Sequence, residues 1–232
     1  SSENLKKNNI DLKDGDVLCI AHKIVSKAEG RVVHLSEIKP SPKAIYYSNA
    51  LNKDPRKVEV ILRETKKVIR YFKHHRQNEG TIICENKLGF ISANAGVDES
   101  NVEGKDNVLL LPKNPDKSAF NIMNYFKDKY NKKIGVVITD TFGRPWRLGQ
   151  INVAIGVSGI PVKKNEKGTL DSFGNYMKVT EPAFCDEIAA ASGLLVKKSG
   201  KTPLVLFRGL EWTNTQSSIK DILRIKKEDM FL

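Results

Sequence analysis

The chain has little cysteine, little histidine and no long apolar run, and each scarcity removes a class of protein. Its 232 residues include three cysteines, Cys19, Cys84 and Cys185, far apart and in no Cys-x-x-Cys spacing. A disulfide-stapled module or a zinc ribbon needs more thiols at closer intervals, so these read as reduced, buried thiols of a cytoplasmic protein. The four histidines form no His-Glu-x-x-His pair, and His74 with His75 in "YFKHHRQNEG" reads as decoration of a polar loop. No apolar stretch approaches the roughly 20 residues of a membrane span and no signal peptide opens the sequence, which predicts a soluble protein without a membrane partner. Acidic residues are in deficit: 27 Asp and Glu stand against 39 Lys and Arg, a formal charge of +12. The preferred partners are therefore anions. The lysines are scattered, aromatics are not interleaved with them and no zinc-finger or RNP1-like pattern occurs, so nucleic acid is not the expected anion. With 40% hydrophobic residues the chain can bury a sizeable core, and no repeat or low-complexity linker divides residues 1–232, which read as one domain.

What is present is a mixture of short strand and helix patterns. "DGDVLCIAHKIVSKAEGRVV" opens with a turn at Asp14 to Asp16, continues as an apolar strand Val17 to Ala21 and is then helix-permissive up to Gly30, so His22, Lys23 and Lys27 follow the strand's far end. Pro42 to Glu64 is helical in pattern, punctuated at Pro55, with Val58, Ile61, Leu62 and Thr65 on a core face. "GTIICENKLGFISANAG" predicts a hairpin of Thr81 to Cys84 against Phe90 to Asn94. A strand Val108 to Leu111 leads through Asn114-Pro115 into a helix whose buried stripe is Ala119, Ile122, Met123, Phe126 and Tyr130. Strands Gly135 to Thr139 and Val153 to Val157 flank a stretch in which Asp140, Thr141, Arg144, Trp146 and Arg147 crowd together where a simple hairpin would need only a turn. A helix from Pro182, with Phe184, Ile188, Ala191 and Leu195 on one face, precedes a strand Leu204 to Phe207 and a short terminal helix. Strand and helix do not alternate strictly, so the expected class is α+β with mixed sheets and flanking helices.

The "SGKT" at Ser199 to Thr202 imitates the end of a phosphate-binding loop. Its first glycine position is Leu195, and it follows a helix and precedes a strand, the reverse of the order that points amides at phosphate. Two acids at strand ends are more informative. Asp98 follows "ISANAGV" with Ser100 and Asn101 beside it, and Asp140 follows "IGVVIT" with Thr141 beside it. Hard oxygen ligands of this kind suit magnesium or manganese, which take few carboxylates and complete their shells with phosphate oxygens and water. An Asp-Thr pair at a strand end suits a helix cap or turn equally well. Arg144 and Arg147 offer forks for carboxylate or phosphate, Lys23 and Lys27 offer point charges, and surface salt bridging would use the same residues. Trp146 is either core or a stacking surface.

Four blocks in order, "GDVLCIAHKIVSKAEGRVV", "GFISANAGVDESNV", "VVITDTFGRPWRLGQINVAIGVSGI" and "VTEPAFCDEIAAASGLL", resemble the coenzyme F420-0:L-glutamate (γ-glutamyl) ligase family. The likeness runs from about Asp14 to Leu210. It implies that family's α+β fold as an intertwined homodimer, located in the cytoplasm. It also implies a GTP-dependent ligase that joins L-glutamate through amide, including γ-glutamyl, bonds to a phospholactyl deazaflavin. Activation of a carboxylate as an acyl phosphate fits such chemistry, because a bare carboxylate does not react with an amine at neutral pH. By the same resemblance Asp98 and Asp140 hold one divalent ion and Thr141 helps with a second, the ions being Mg²⁺ or Mn²⁺ with K⁺ as a further cation. Asn101 and Lys27 contact the nucleotide, His22 and Lys23 stand at the nucleotide or substrate pocket, and Arg144 and Arg147 face the carboxylates of acceptor or glutamate.

Three departures from the family pattern accompany the likeness. The family's segment before the "DGD" turn, a source of nucleotide contacts, is not expected among residues 1–13. The loop after the last long helix reads "VKKSGKTP", with Lys197 and Lys198 where the family has small residues and an acid or amide near the second ion. No nitroreductase-like region is expected within residues 1–232. A ligase scaffold can keep its nucleotide site and change its acceptor, so a reduced folate or other pterin-like acceptor is the alternative substrate. A nucleotide- or anion-binding homologue without turnover is the alternative from another class.

Overall fold

The structure, a computed structural model, describes residues 11–104, 106–196, 202–213 and 216–229. In chain order its strands and α-helices are β1 (Val17–Ala21), α1 (His22–Ala28), β2 (Val32–His34), α2 (Pro42–Leu51), α3 (Pro55–Glu64), β3 (Thr65–Phe72), β4 (Thr81–Asn86), β5 (Ile91–Ala93), β6 (Asn107–Leu109), α4 (Pro115–Tyr130), β7 (Gly135–Arg144), β8 (Arg147–Ser158), α5 (Phe184–Leu195) and β9 (Leu204–Phe207). The class is α+β with mixed sheets, as the pattern predicts. Two compact units divide these residues. One is built from the described parts of 1–21, 115–141 and 152–232, the other from those of 22–114 and 142–151.

The first unit is organised by a sheet of order β8-β7-β1-β9. β1 lies parallel to β7, with Val17 opposite Gly135 and Ala21 opposite Thr139, and antiparallel to β9. VLCIA and GVVIT are unbroken apolar runs, as strands buried on both faces require, and Val17, Val136, Val137 and Ile138 are fully buried. Asp16, 1% exposed, closes the start of β1. Its carboxylate accepts from Arg208 Nε and Nη2, each at 2.8 Å, and from the Lys13 amide at 2.8 Å. Burial pushes the Asp16 carboxyl up, but Arg208 and the Lys13 amide outweigh it and hold the group below the usual carboxylate range. In α5 the buried residues are Phe184, Cys185, Ile188, Ala189 and Ser192. The expected place of Leu195 on that face is corrected: it is 63% exposed, because the stripe turns toward Cys185 and Ala189 and ends before the last turn.

The second unit holds an antiparallel sheet, β3-β4-β5, and a two-stranded antiparallel ladder, β2-β6. Ser41 caps α2 by accepting from the Ala44 amide at 3.2 Å, with Pro42 at the first helical position, and Asp54 caps α3 by accepting from the Arg56 amide at 2.8 Å ahead of Pro55. Val58 and Ile61 of α3 enter a core with Leu51, Ile82, Cys84, Ala95, Val97 and Val108, so the helical spacing there reports a buried face. The predicted hairpin forms, with Cys84 opposite Ser92. β2 and β3 were not expected from the sequence. β3 reads TKKVIRYF, an edge strand with two bulges, and lysine with irregular pairing is how exposed edges avoid further pairing.

Candidate active site

In the second unit, α1 and the loop after β5 bring Lys23 to Asp98 and Lys27 to Asn101, with His22 at the start of the same helix. His22 is 2% exposed and pairs through Nδ1 with Ser26 Oγ at 3.2 Å. Lys23 Nζ lies 2.5 Å from Asp98 Oδ2 and also donates to the Ser100 carbonyl at 3.0 Å and to the Ser100 hydroxyl. Lys27 Nζ donates to the Asn101 carbonyl at 2.6 Å. The Asp98 carboxylate accepts in addition from the Ser100 amide at 2.7 Å and its hydroxyl at 3.0 Å. Burial would raise the Asp98 carboxyl, yet Lys23 and the Ser100 groups overcome it and keep the group below its ordinary range.

The loop is held against its own preferences. Asn94 (φ 52°), Ala95 (φ 54°) and Asn101 (φ 58°) are left-handed without being glycine, which costs on the order of 1 kcal/mol each. Gly96, at φ 79°, is where a Cβ would strike the Leu111 side chain at 2.6 Å. Asp98 is tied by two backbone hydrogen bonds to Leu109, and Glu99 by a 2.6 Å ion pair to Lys57, a lysine only 5% exposed. Strain maintained by such ties is characteristic of residues placed for a task.

Asp140 and Thr141 lie in the first unit. Asp140 Oδ1 accepts from the Thr141 amide at 2.7 Å, and Thr141 Oγ1 donates to Asn152 Oδ1 at 3.0 Å. Asn152 Nδ2 in turn reaches Ser192 Oγ on α5 at 3.5 Å, and Ser192 Oγ donates to the Ala189 carbonyl at 2.6 Å. Neither Asn152 nor Ser192 stood out in the sequence. Their one signal is a lone polar residue within an apolar run, "INVAIGV" and "AAASGLL". Asp186 was missed likewise: burial raises its carboxyl, while the Ala154 amide, 2.9 Å from Oδ1, pulls the other way.

The crowded stretch between them is a hairpin after all. β7 and β8 run on to Arg144 and Arg147, and Pro145 with Trp146 forms the two-residue turn, Trp146 taking φ 63° as the third position of a type II turn does. Pro145 sits in the turn, whereas Gly143 belongs to β7. Trp146 is 88% exposed, which removes the core alternative. Arg144 Nη2 donates to the Leu148 carbonyl at 3.3 Å, while its buried Nε has no hydrogen-bond partner.

The sequence profile described as F420-0:Gamma-glutamyl ligase matches residues 1–209. Among similar curated proteins, a coenzyme F420:L-glutamate ligase of Methanothermobacter thermautotrophicus is 39% identical over 231 residues, 98% of this chain and 88% of its own. A protein of the same name from Methanopyrus kandleri is 44% identical over 87% of this chain and 77% of its own, and one from Methanocaldococcus jannaschii 39% identical over 95% and 86%. The chain belongs to this family. It is an enzyme of the ligase type, and the alternative of a homologue without turnover is set aside.

The family's hard cations can be tested against the residues present. The Lys23 ammonium is enclosed by Asp98 Oδ2 and two Ser100 oxygens, an oxygen cradle that already favours positive charge. Thr141 adds a hydroxyl beside Asp140. Among the described residues no group of three or more His, Cys, Asp or Glu side chains is gathered for a metal. The three cysteines are free and buried. Lys197, Lys198 and the Ser199 to Lys201 part of "SGKT" lie outside the described residues. Among the described residues no helix is long and apolar enough to cross a membrane.

Proposed function

We propose that this enzyme joins the amino group of L-glutamate to a carboxylate of the deazaflavin coenzyme F420-0, with GTP as the energy source, and then adds glutamate again through the γ-carboxylate of the residue just attached. Membership of the family over nearly the whole chain carries the reading. The site's charge supports it: Lys23 and Lys27 beside Asp98 and Asn101 suit a polyphosphate with its cation, and the planar forks of Arg144 and Arg147 suit carboxylates.

The acceptor carboxylate oxygen attacks the γ-phosphorus of GTP, GDP leaves, and an acyl phosphate results. The glutamate amine, after loss of a proton, then attacks the activated carbonyl and inorganic phosphate departs. Bringing two anions together is the principal cost, so electrostatic compensation and positioning are the enzyme's main tasks. Bound Mg²⁺ or Mn²⁺, two per site with K⁺ as a further cation, supplies Lewis acidity toward the phosphate oxygens. Asp98 would offer such an ion a hard carboxylate oxygen, and Asp140 with Thr141 would offer a carboxylate and a hydroxyl oxygen. Lys27 and Asn101 position the nucleotide, Lys23 neutralises phosphate charge, and buried His22 holds the start of α1 through Ser26. Arg144 and Arg147 orient the carboxylates. We further take the working unit to be a homodimer. Incubation of the full chain with GTP, Mn²⁺, L-glutamate and either F420-0 or a reduced folate, followed by mass spectrometry, tests the substrate. Glutamyl products should appear with F420-0 and require GTP; products with the folate alone would overturn the acceptor assignment.

A further inference from the structure

The hydrogen-bond chain behind Thr141 has a direction, and the direction decides what Thr141 offers. Ser192, 1% exposed, spends its only proton on the Ala189 carbonyl at 2.6 Å, so toward Asn152 it presents lone pairs. Asn152 must therefore turn its NH₂ to Ser192, at 3.5 Å, and its carbonyl oxygen to Thr141. That oxygen accepts the Thr141 proton at 3.0 Å. Thr141 Oγ1 is left with its lone pairs alone, the form of a hydroxyl that binds a cation and not one that donates to a phosphate. Gly193 makes room for the arrangement, since a Cβ there would lie 3.3 Å from Asn152 Nδ2.

We infer that Asn152 and Ser192 are positioning residues that orient the Thr141 hydroxyl toward a hard cation. The inference rests on the proposed cation role of Thr141 and adds to it the two residues that set its polarity. Loss of a group that orients a metal ligand commonly weakens the metal about 10- to 100-fold.

The test is Mn²⁺ titration of the full chain, with and without a non-hydrolysable GTP analogue, free ion being followed by electron paramagnetic resonance and folding by melting temperature. Asn152→Leu, which removes the acceptor, should weaken Mn²⁺ about 10-fold or more, and Thr141→Val should do the same. Ser192→Ala, a mild change at a buried site, should weaken it several-fold, roughly the lower end of that effect, by freeing the Asn152 amide to flip. In an Asn152→Asp background either carboxylate oxygen accepts from Thr141, so Ser192→Ala should there have no effect on Mn²⁺; a merely structural Ser192 would act equally in both backgrounds. Wild-type Mn²⁺ binding by Asn152→Leu or Ser192→Ala, with Thr141→Val impaired, would overturn the positioning role while leaving the cation reading intact. Wild-type binding by Thr141→Val would overturn the cation reading itself.

Discussion

Asp98 and Arg144 show what single side chains can and cannot announce. Asp98 was legible as a short acid with Ser100 and Asn101 beside it, but the expected strand-end positions are corrected: β5 stops at Ala93, leaving Asp98 in the loop beyond, and Asp140 lies within β7, which runs on to Arg144. Lys23, the partner of Asp98, was legible only as a nearby charge, since a separation of 75 residues conceals a 2.5 Å contact. Asn152 was hidden for the opposite reason: its task depends on the direction of a hydrogen bond, which residue type does not encode. Asp98→Asn and Asp140→Asn should each give a folded protein whose ligase activity falls by a factor of 100 or more, on the order of the 3–4 kcal/mol of a lost charge-stabilising interaction; wild-type turnover in either would refute its role. Arg144→Lys and Arg147→Lys keep charge but lose the fork, so kcat/KM for glutamate or acceptor should fall by roughly 10-fold with GTP affinity little changed. Loss of GTP binding with normal KM values for the other substrates would assign these arginines to the nucleotide.

At the scale of elements, the loop 94–101 is shaped by α3 as much as by its own residues. Lys57 is buried, and burial alone would lower its pKa, but Glu99 and Glu79 reverse this and raise it. Its partners are half-exposed, at 51% and 45% of their side chains, so the two sides of this network should respond unequally. Lys57→Met leaves only carboxylates that water can solvate, and stability should change little while GTP binding weakens as the loop relaxes. Glu79→Gln with Glu99→Gln leaves two buried ammonium groups, Lys57 and the Lys53 that shares Glu79, without their counter-charge and should cost at least about 3–5 kcal/mol in urea unfolding. Equal costs for the two variants would contradict the account. The capped helices α2 and α3 were plain from Ser41-Pro42 and Asp54-Pro55, and the β4–β5 hairpin from its flanking pattern. β3 was not, because an edge strand protected by lysines carries no alternation to read. The tip of the β7–β8 hairpin was not located, because it places Trp146 at a left-handed φ where a glycine is the usual signal.

For the whole molecule, the α+β class was legible in the irregular succession of strand and helix patterns, and membership of the ligase family in four long blocks that resemble it in order. The division into two units was not, since the first unit is assembled from three separated segments and no linker marks its edges. The ends of β1 and β9 are joined by Asp16 and Arg208, and their pairing sets an acid limit on stability. The folded-state pKa of Asp16 lies below the usual carboxylate value of about 4, so its contribution is complete above that value and is lost as pH falls through the lower, folded one. Melting temperature should therefore decline across this acid window, and Asp16→Asn should flatten the decline; an unchanged slope would separate the pair from acid stability. The central claim, that this chain activates its acceptor through GTP, is tested most directly by placing a heavy-oxygen label in the F420-0 carboxylate and analysing the phosphate released during ligation. Transfer of one labelled oxygen to inorganic phosphate, dependent on L-glutamate and GTP, is the predicted result. Amide product formed with all label retained in the product and released water, and none in phosphate, would contradict acyl-phosphate activation.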